Sequence, residues 1–179
     1  MNPSIKAVNL ALFGALSVSG NGAFAAPAAD PCQSLADALG VANTRAALHT
    51  ALQTAVDAEP VNASGGFNLG MWATLVDRDG IVCAVAFSGG DRGSQWPASR
   101  VISAQKASTA NSLSLDGLAL STANLYASAQ DGGSLFGVQF SNPVDPANAY
   151  AGNPENYGQF NDPMVSAGAA DFSRVGGHN

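Results

Sequence analysis

The sequence predicts an α+β domain in which an antiparallel β-sheet is flanked by helices. Three observations predict it: apolar residues at helical spacing over 31–59, two apolar runs joined by an Asp-Gly turn over 69–87, and a second helical pattern opening at Pro97. Helices and a hairpin in succession, without the strand–helix alternation of a parallel sheet, point to antiparallel pairing. At 179 residues the chain is the size of one domain, since domains run roughly 100–200 residues.

Over 31–59, Leu35, Leu39, Ala42, Ala46, Leu52 and Val56 recur on one helical face, and Pro60 ends the pattern. Gly40 and Asn43-Thr44 mark a place where this helix splits in two. A Gly-rich bridge at 62–66 leads into the apolar run 69–76, the turn 77–80 and the apolar run 81–87. Asp79-Gly80 between two such runs is the strongest short-range hairpin signal. Pro97 then stands at a first helical position, where its missing N–H costs nothing.

The helix predicted over 98–113 carries Val101, Ile102, Gln105 and Thr109 on one face and is otherwise small-sided. Asp116-Gly117 interrupts, a shorter helix runs from 120 or 121 to 130, and Asp131-Gly132-Gly133 forms a turn. The segment 134–140 alternates well enough to predict a third strand. From 142 onward the chain is rich in Asn, Pro, Gly and Asp and predicts a loop, whose length marks it either as functional or as the sign of a missing piece.

Only 11% of residues are charged, less than half of the ~25% usual for soluble domains, so much of the surface is small or neutral-polar. Seven Lys+Arg against thirteen Asp+Glu exclude a nucleic-acid partner, which needs clustered basic residues, and no polybasic membrane anchor is present. Residues 1–25 predict a cleaved secretory signal: Lys6, a short apolar run over 7–16, and Ala23-Phe24-Ala25 before Ala26-Pro27. No later run is long and apolar enough to span a bilayer, so the expectation is a soluble chain that is secreted or periplasmic.

Cys32 and Cys83 are the two cysteines, and an exported pair permits one disulfide. The spacing leaves open whether they meet. His49 and His178 lie far apart, no CxxC or HExxH occurs, and no G-x-S-x-G turn supports a hydrolase. Asp77, Asp79 and Asp91 could be read as paired carboxylates, but turn chemistry explains Asp79 and extends to Asp77, so acid–base catalysis is not the expectation. Trp72 and Trp96 are expected as core or interface anchors, and Met71 as packing.

Four segments, 71–83, 99–110, 132–137 and 141–144, together resemble the GlcG/HbpS family of heme-binding proteins. Its hallmark is a Val76-Asp77-x-x-Gly80 hairpin followed by a helix bearing Lys106-Ala107-x-Thr109-Ala110. The resemblance covers 67–165, after the signal at 1–25 and an N-terminal helical segment and linker at 26–66. It implies an oligomeric α+β domain that binds heme or its iron outside the cytoplasm, with Thr109, Lys106 and Arg100 as the heme-site residues and heme as the cofactor. Lys106 and Thr109 are i and i+3 on one helix, so they share a face, and an ammonium suits a heme propionate. Where longer relatives continue into a final hairpin, this chain has a divergent stretch over 166–179, which reads as a truncated tail lacking that hairpin.

The sequence therefore leads to an exported, non-catalytic heme-binding protein that sequesters heme or iron or acts as an accessory, partnered by heme and by copies of itself. Two alternatives from other classes stand beside it: an oxidative heme-degrading enzyme, and a non-heme oligomeric interaction module.

Overall fold

The computed structural model describes residues 31–58, 69–141 and 143–165. The predicted signal at 1–25, the bridge at 62–66 and the tail at 166–179 lie outside the described residues.

The first helical stretch is two helices, α1 (Pro31–Leu39) and α2 (Thr44–Asp57), broken where the sequence marks the break. Gly40 takes φ +65°, a left-handed conformation that glycine reaches without steric cost. The Asn43 side chain then caps α2, accepting from the Ala46 N–H at 3.0 Å.

Strands β1 (Trp72–Val76) and β2 (Val82–Phe87) pair antiparallel, with Trp72 opposite Phe87 and Thr74 opposite Val85. Asp77 ties the turn between them: its Oδ1 accepts from the N–H groups of Asp79 and Ile81, each at 2.9 Å. Every residue of β2 is buried, as expected of a strand covered on both faces. The next helix, α3 (Ser99–Leu113), packs mainly on β1 and α2 mainly on β2. Thr74 and Ser103 share a hydroxyl–hydroxyl bond of 2.6 Å across the α3 contact.

A bulge between Leu75 and Val76 makes the register skip Cys83. That residue is disulfide-bonded to Cys32 of α1, with Cα atoms 5.1 Å apart and a sequence separation of 51. Closing a loop of that length contributes about 4 kcal/mol in the chain-entropy account.

Beyond α3 the sequence expectation needs correction. The segment 120–130 is a 3₁₀ turn, Thr122–Leu125, running into one turn of helix, α4 (Tyr126–Ala129). The predicted strand at 134–140 is not a strand. Phe136 N–H bonds the Gly133 carbonyl, Val138 N–H bonds that of Leu135, and Val138–Phe140 is a 3₁₀ turn. Gly137 at φ +85° breaks any extended run, and local carbonyls already satisfy donors that a strand would offer a neighbour. Among the described residues the sheet has two strands.

The segment after 142 is not an open loop either. It holds α5 (Pro146–Ala149), capped by Asp145, and a 3₁₀ turn, Pro154–Asn156, capped by Asn153. In both, a capping Asx precedes a proline that suits the first helical position. Ala149 and Met164 are fully buried and complete the core formed by Trp72, Val85, Phe87 and Val101.

Two arginines moor this segment. Arg100 is 2% exposed and spends its whole fork: Nε on Asp162 Oδ2 at 2.9 Å, Nη2 on Asp162 Oδ1, and Nη1 on the Ala149 carbonyl at 2.6 Å. Its guanidinium also lies over the Tyr157 ring, 3.7 Å from the centroid. Asp162 accepts two further bonds, from Gly158 N–H at 2.6 Å and Met164 N–H at 2.8 Å. From α2, Arg45 Nε donates to the Gly158 carbonyl at 2.7 Å. Gly158 lies flat on the edge-to-face pair Trp72–Phe87, at φ +78°, where a Cβ would come within 2.8 Å of Trp72 Cζ3.

Candidate functional site

The C-terminal half of α3 is held against the hairpin turn by Asn111 and Arg78. Asn111 Nδ2 donates to the Asp77 carbonyl at 2.9 Å, and Arg78 Nη1 donates to the Asn111 carbonyl at 2.8 Å. On this fixed stretch Lys106 and Thr109 both border a groove of about 520 Å³. Small-molecule sites run roughly 300–1,000 Å³, so the groove is large enough for a ligand of cofactor size.

The facing wall comes from the two segments that depart from the predicted elements. Leu125, Tyr126 and Gln130 line it from the 121–130 stretch, whose entry is fixed by Ser121 and Asn124 in a reciprocal cap. Leu135, Phe136 and Val138 line it from the turns that replace the expected strand. Tyr126 is 71% exposed and Phe136 61% exposed, so two aromatic rings stand open to whatever enters. Asp131 is the carboxylate on this lining and Lys106 the cation.

Thr109 sits deep, at 3% exposure, and its hydroxyl donates to the Gln105 carbonyl at 2.9 Å. Lys106 is exposed. The structure thus brings Lys106 and Thr109 to one groove, as their spacing predicts, and leaves Arg100 out of it. Nine residues before Thr109, Arg100 stands half a helical circumference away and is consumed by Asp162, Ala149 and Tyr157.

Cys32 and Cys83 border a second, smaller cavity of about 270 Å³ together with Arg45 and Phe160. Asp91 belongs to a self-tied loop: Gly93 N–H at 2.7 Å and the Ser94 hydroxyl at 3.1 Å both donate to its Oδ1. Those bonds hold its carboxyl below the usual carboxylate range, which is turn chemistry and not a general acid. Among the described residues no cluster of three or more His, Cys, Asp or Glu is placed to hold a metal ion. None of their helices is long and apolar enough to cross a membrane.

Sequence reasoning missed Tyr126 and Phe136. The available signal was weak: Tyr126 follows Leu125 in a stretch otherwise of Ala, Ser, Thr and Asn, and Phe136 lies in the alternating run 134–140 that reads as a strand.

Fold and groove define a small α+β domain with a cofactor-sized site beside its third helix. No protein-family model, no curated protein and no solved structure matches this chain. The resemblance to the GlcG/HbpS family stands on its motif residues alone.

Proposed function

We propose that this chain is an extracytoplasmic heme-binding protein of the GlcG/HbpS type, seating heme in the groove beside α3 and holding heme or iron without turning it over. The observation that supports this best is the meeting of Lys106 and Thr109 with an aromatic and aliphatic wall in one groove of about 520 Å³. Heme is a flat apolar ring with two carboxylates along one edge. Tyr126, Phe136, Leu125 and Leu135 suit its faces, and Lys106 suits a propionate.

Lys106 and Asp131 on the same lining give the carboxylates one side to favour and one to avoid, which orients the ring. When bound, heme would supply its iron as a Lewis-acidic and redox-active centre. What the chain does is exclude water from the ring's faces and fix its edge. The Cys32–Cys83 disulfide supports action outside the cytoplasm, because such pairs persist in oxidising compartments.

The test is a hemin titration of the purified chain followed at the Soret band. The expected result is a saturable shift that weakens in Lys106→Ala and Thr109→Val. An unshifted Soret band in the parent chain, or variants that bind as the parent does, would remove the reading.

A second reading, a non-heme self-association module, is favoured by large apolar side chains left open, Phe160 at 80%, Phe140 at 77% and Trp96 at 66% exposure. Size-exclusion chromatography with and without hemin separates the two: assembly independent of hemin, with no Soret shift, selects the module.

A further inference from the structure

Apart from Lys106 and Thr109, every residue that lines the proposed heme groove belongs to one stretch of chain, 115–141. The two sides of the groove are therefore the helix α3 and this single segment, and they are held in different ways. On the α3 side Thr109 is buried, and Arg78 and Asn111 tie the helix to the hairpin turn.

The segment 115–141 is tied mainly to itself. From 110 to 148 not one described residue is buried, whereas Thr109 before that stretch and Ala149 after it are. Leu135 N–H donates to the Ser128 carbonyl at 2.9 Å, Phe136 N–H to that of Gly133 at 3.1 Å, and Phe140 N–H to that of Gly137 at 2.9 Å. Among the described residues, the hydrogen bond that leaves the segment runs from Leu120 N–H to Ser114 Oγ at 2.9 Å, beside the segment's own first residue. Its main packing on the rest of the molecule is where the 3₁₀ turn Thr122–Leu125 meets α3. Leu115, Leu118, Tyr126, Phe136 and Phe140 are each more than half exposed.

Both ends are fixed all the same. Arg78 Nη2 donates to the Ser114 carbonyl at 3.2 Å, and past the other end Ala149 is buried with its carbonyl held by Arg100. A segment with few buried contacts and exposed hydrogen bonds opens at a much lower free energy than the core does. Fixed ends and a lightly seated middle describe a flap.

We propose that 115–141 is a hinged flap, which opens freely without ligand and is closed onto α3 by heme. The inference rests on the heme reading and adds how the ligand is held. The flap's apolar side chains are covered by the ring, which favours the closed arrangement because the ligand binds it better than the open one. Heme then leaves only when the flap opens, so the flap sets how long the chain retains it.

Hydrogen exchange read by mass spectrometry tests this on the full chain, with hemin absent or at 100 times its Kd and the Soret band followed in parallel. Without hemin, the amides of 115–141 are expected to exchange at least about 100-fold faster than those of the β1–β2 hairpin. With hemin they are expected to slow by up to about 100-fold, because an opening that exposes them also releases the ligand. Protection of 115–141 as strong as that of the hairpin in the absence of hemin would show a rigid wall and overturn the proposal. A Soret shift with unchanged exchange over 115–141 would overturn it too and leave the heme reading standing. With no Soret shift at all, the heme reading fails and the flap's ligand with it.

Discussion

Replacing Asp162 by Asn keeps the shape of the side chain and removes its charge, so it measures what the Arg100–Asp162 clamp contributes. The carboxylate accepts four bonds, two from the Arg100 fork and one each from Gly158 and Met164 N–H. An amide presents one oxygen and one NH₂, so two of those four donors face another donor after the change. Arg100, 2% exposed, is left with the Ala149 carbonyl and the Tyr157 ring. Removing one partner of a buried pair costs about 3–5 kcal/mol, a large part of the roughly 5–15 kcal/mol that holds a domain folded.

In urea, with an m-value of about 2 kcal/mol/M, the unfolding midpoint should fall by about 1.5–2.5 M. A fall smaller than about 0.5 M would refute the reasoning, since it would mean that the paired charges are not needed to hold 143–165 in place. Adding Arg100→Met to the Asp162→Asn variant should recover part of the loss, with a coupling of at least about 1 kcal/mol, because no buried charge is then left alone. The single variant also tests where Arg100 acts: hemin affinity of folded Asp162→Asn should equal that of the parent, as Arg100 lies outside the groove.

Three further outcomes are expected. Gly158→Ala forces a left-handed residue onto Trp72 and Phe87, and a melting series should show a loss of about 2–4 kcal/mol. The Cys32→Ser, Cys83→Ser double variant should lose about 4 kcal/mol in urea, and adding a thiol reductant to the parent should reproduce that loss. Asp91, held low first by the Gly93 N–H and then by the Ser94 hydroxyl, should titrate below an unstructured Asp when its carboxyl is followed by NMR. Its contribution is present above the unfolded-state pKa and disappears as pH falls through the folded one, so an Asp91 midpoint at or above the ordinary carboxylate value would contradict it.

How much of this is legible in the sequence varies with the range of the interaction that decides it. The hairpin, the break at Gly40 and Asn43, and α3 are decided by neighbours, and the sequence carries them in turn chemistry and periodicity. Lys106 and Thr109 share a groove because a helix brings i and i+3 together. The strand expected at 134–140 does not form because alternation says nothing about whether a partner strand exists, and Gly137 turns the backbone away from one. Arg100 is a heme-site residue only by the family resemblance, and its bond to Asp162 is not legible because that residue is 62 positions away in an Asp-Pro pair that reads as a turn. The bond between Cys32 and Cys83 joins residues 51 apart, and no local pattern announces it.

The two arginine clamps also set a timetable for the emerging chain. Arg45 meets Gly158 and Arg100 meets Asp162 across 113 and 62 residues, so neither clamp can close until nearly all of the described sequence has been made. At roughly 5–20 residues per second, Arg45 waits about 6–23 s for its partner while the Trp72–Phe87 edge stands uncovered. During that interval the apolar run of β2 is available to other nascent chains, and yield at high expression should depend on how fast the segment ending at Val165 arrives.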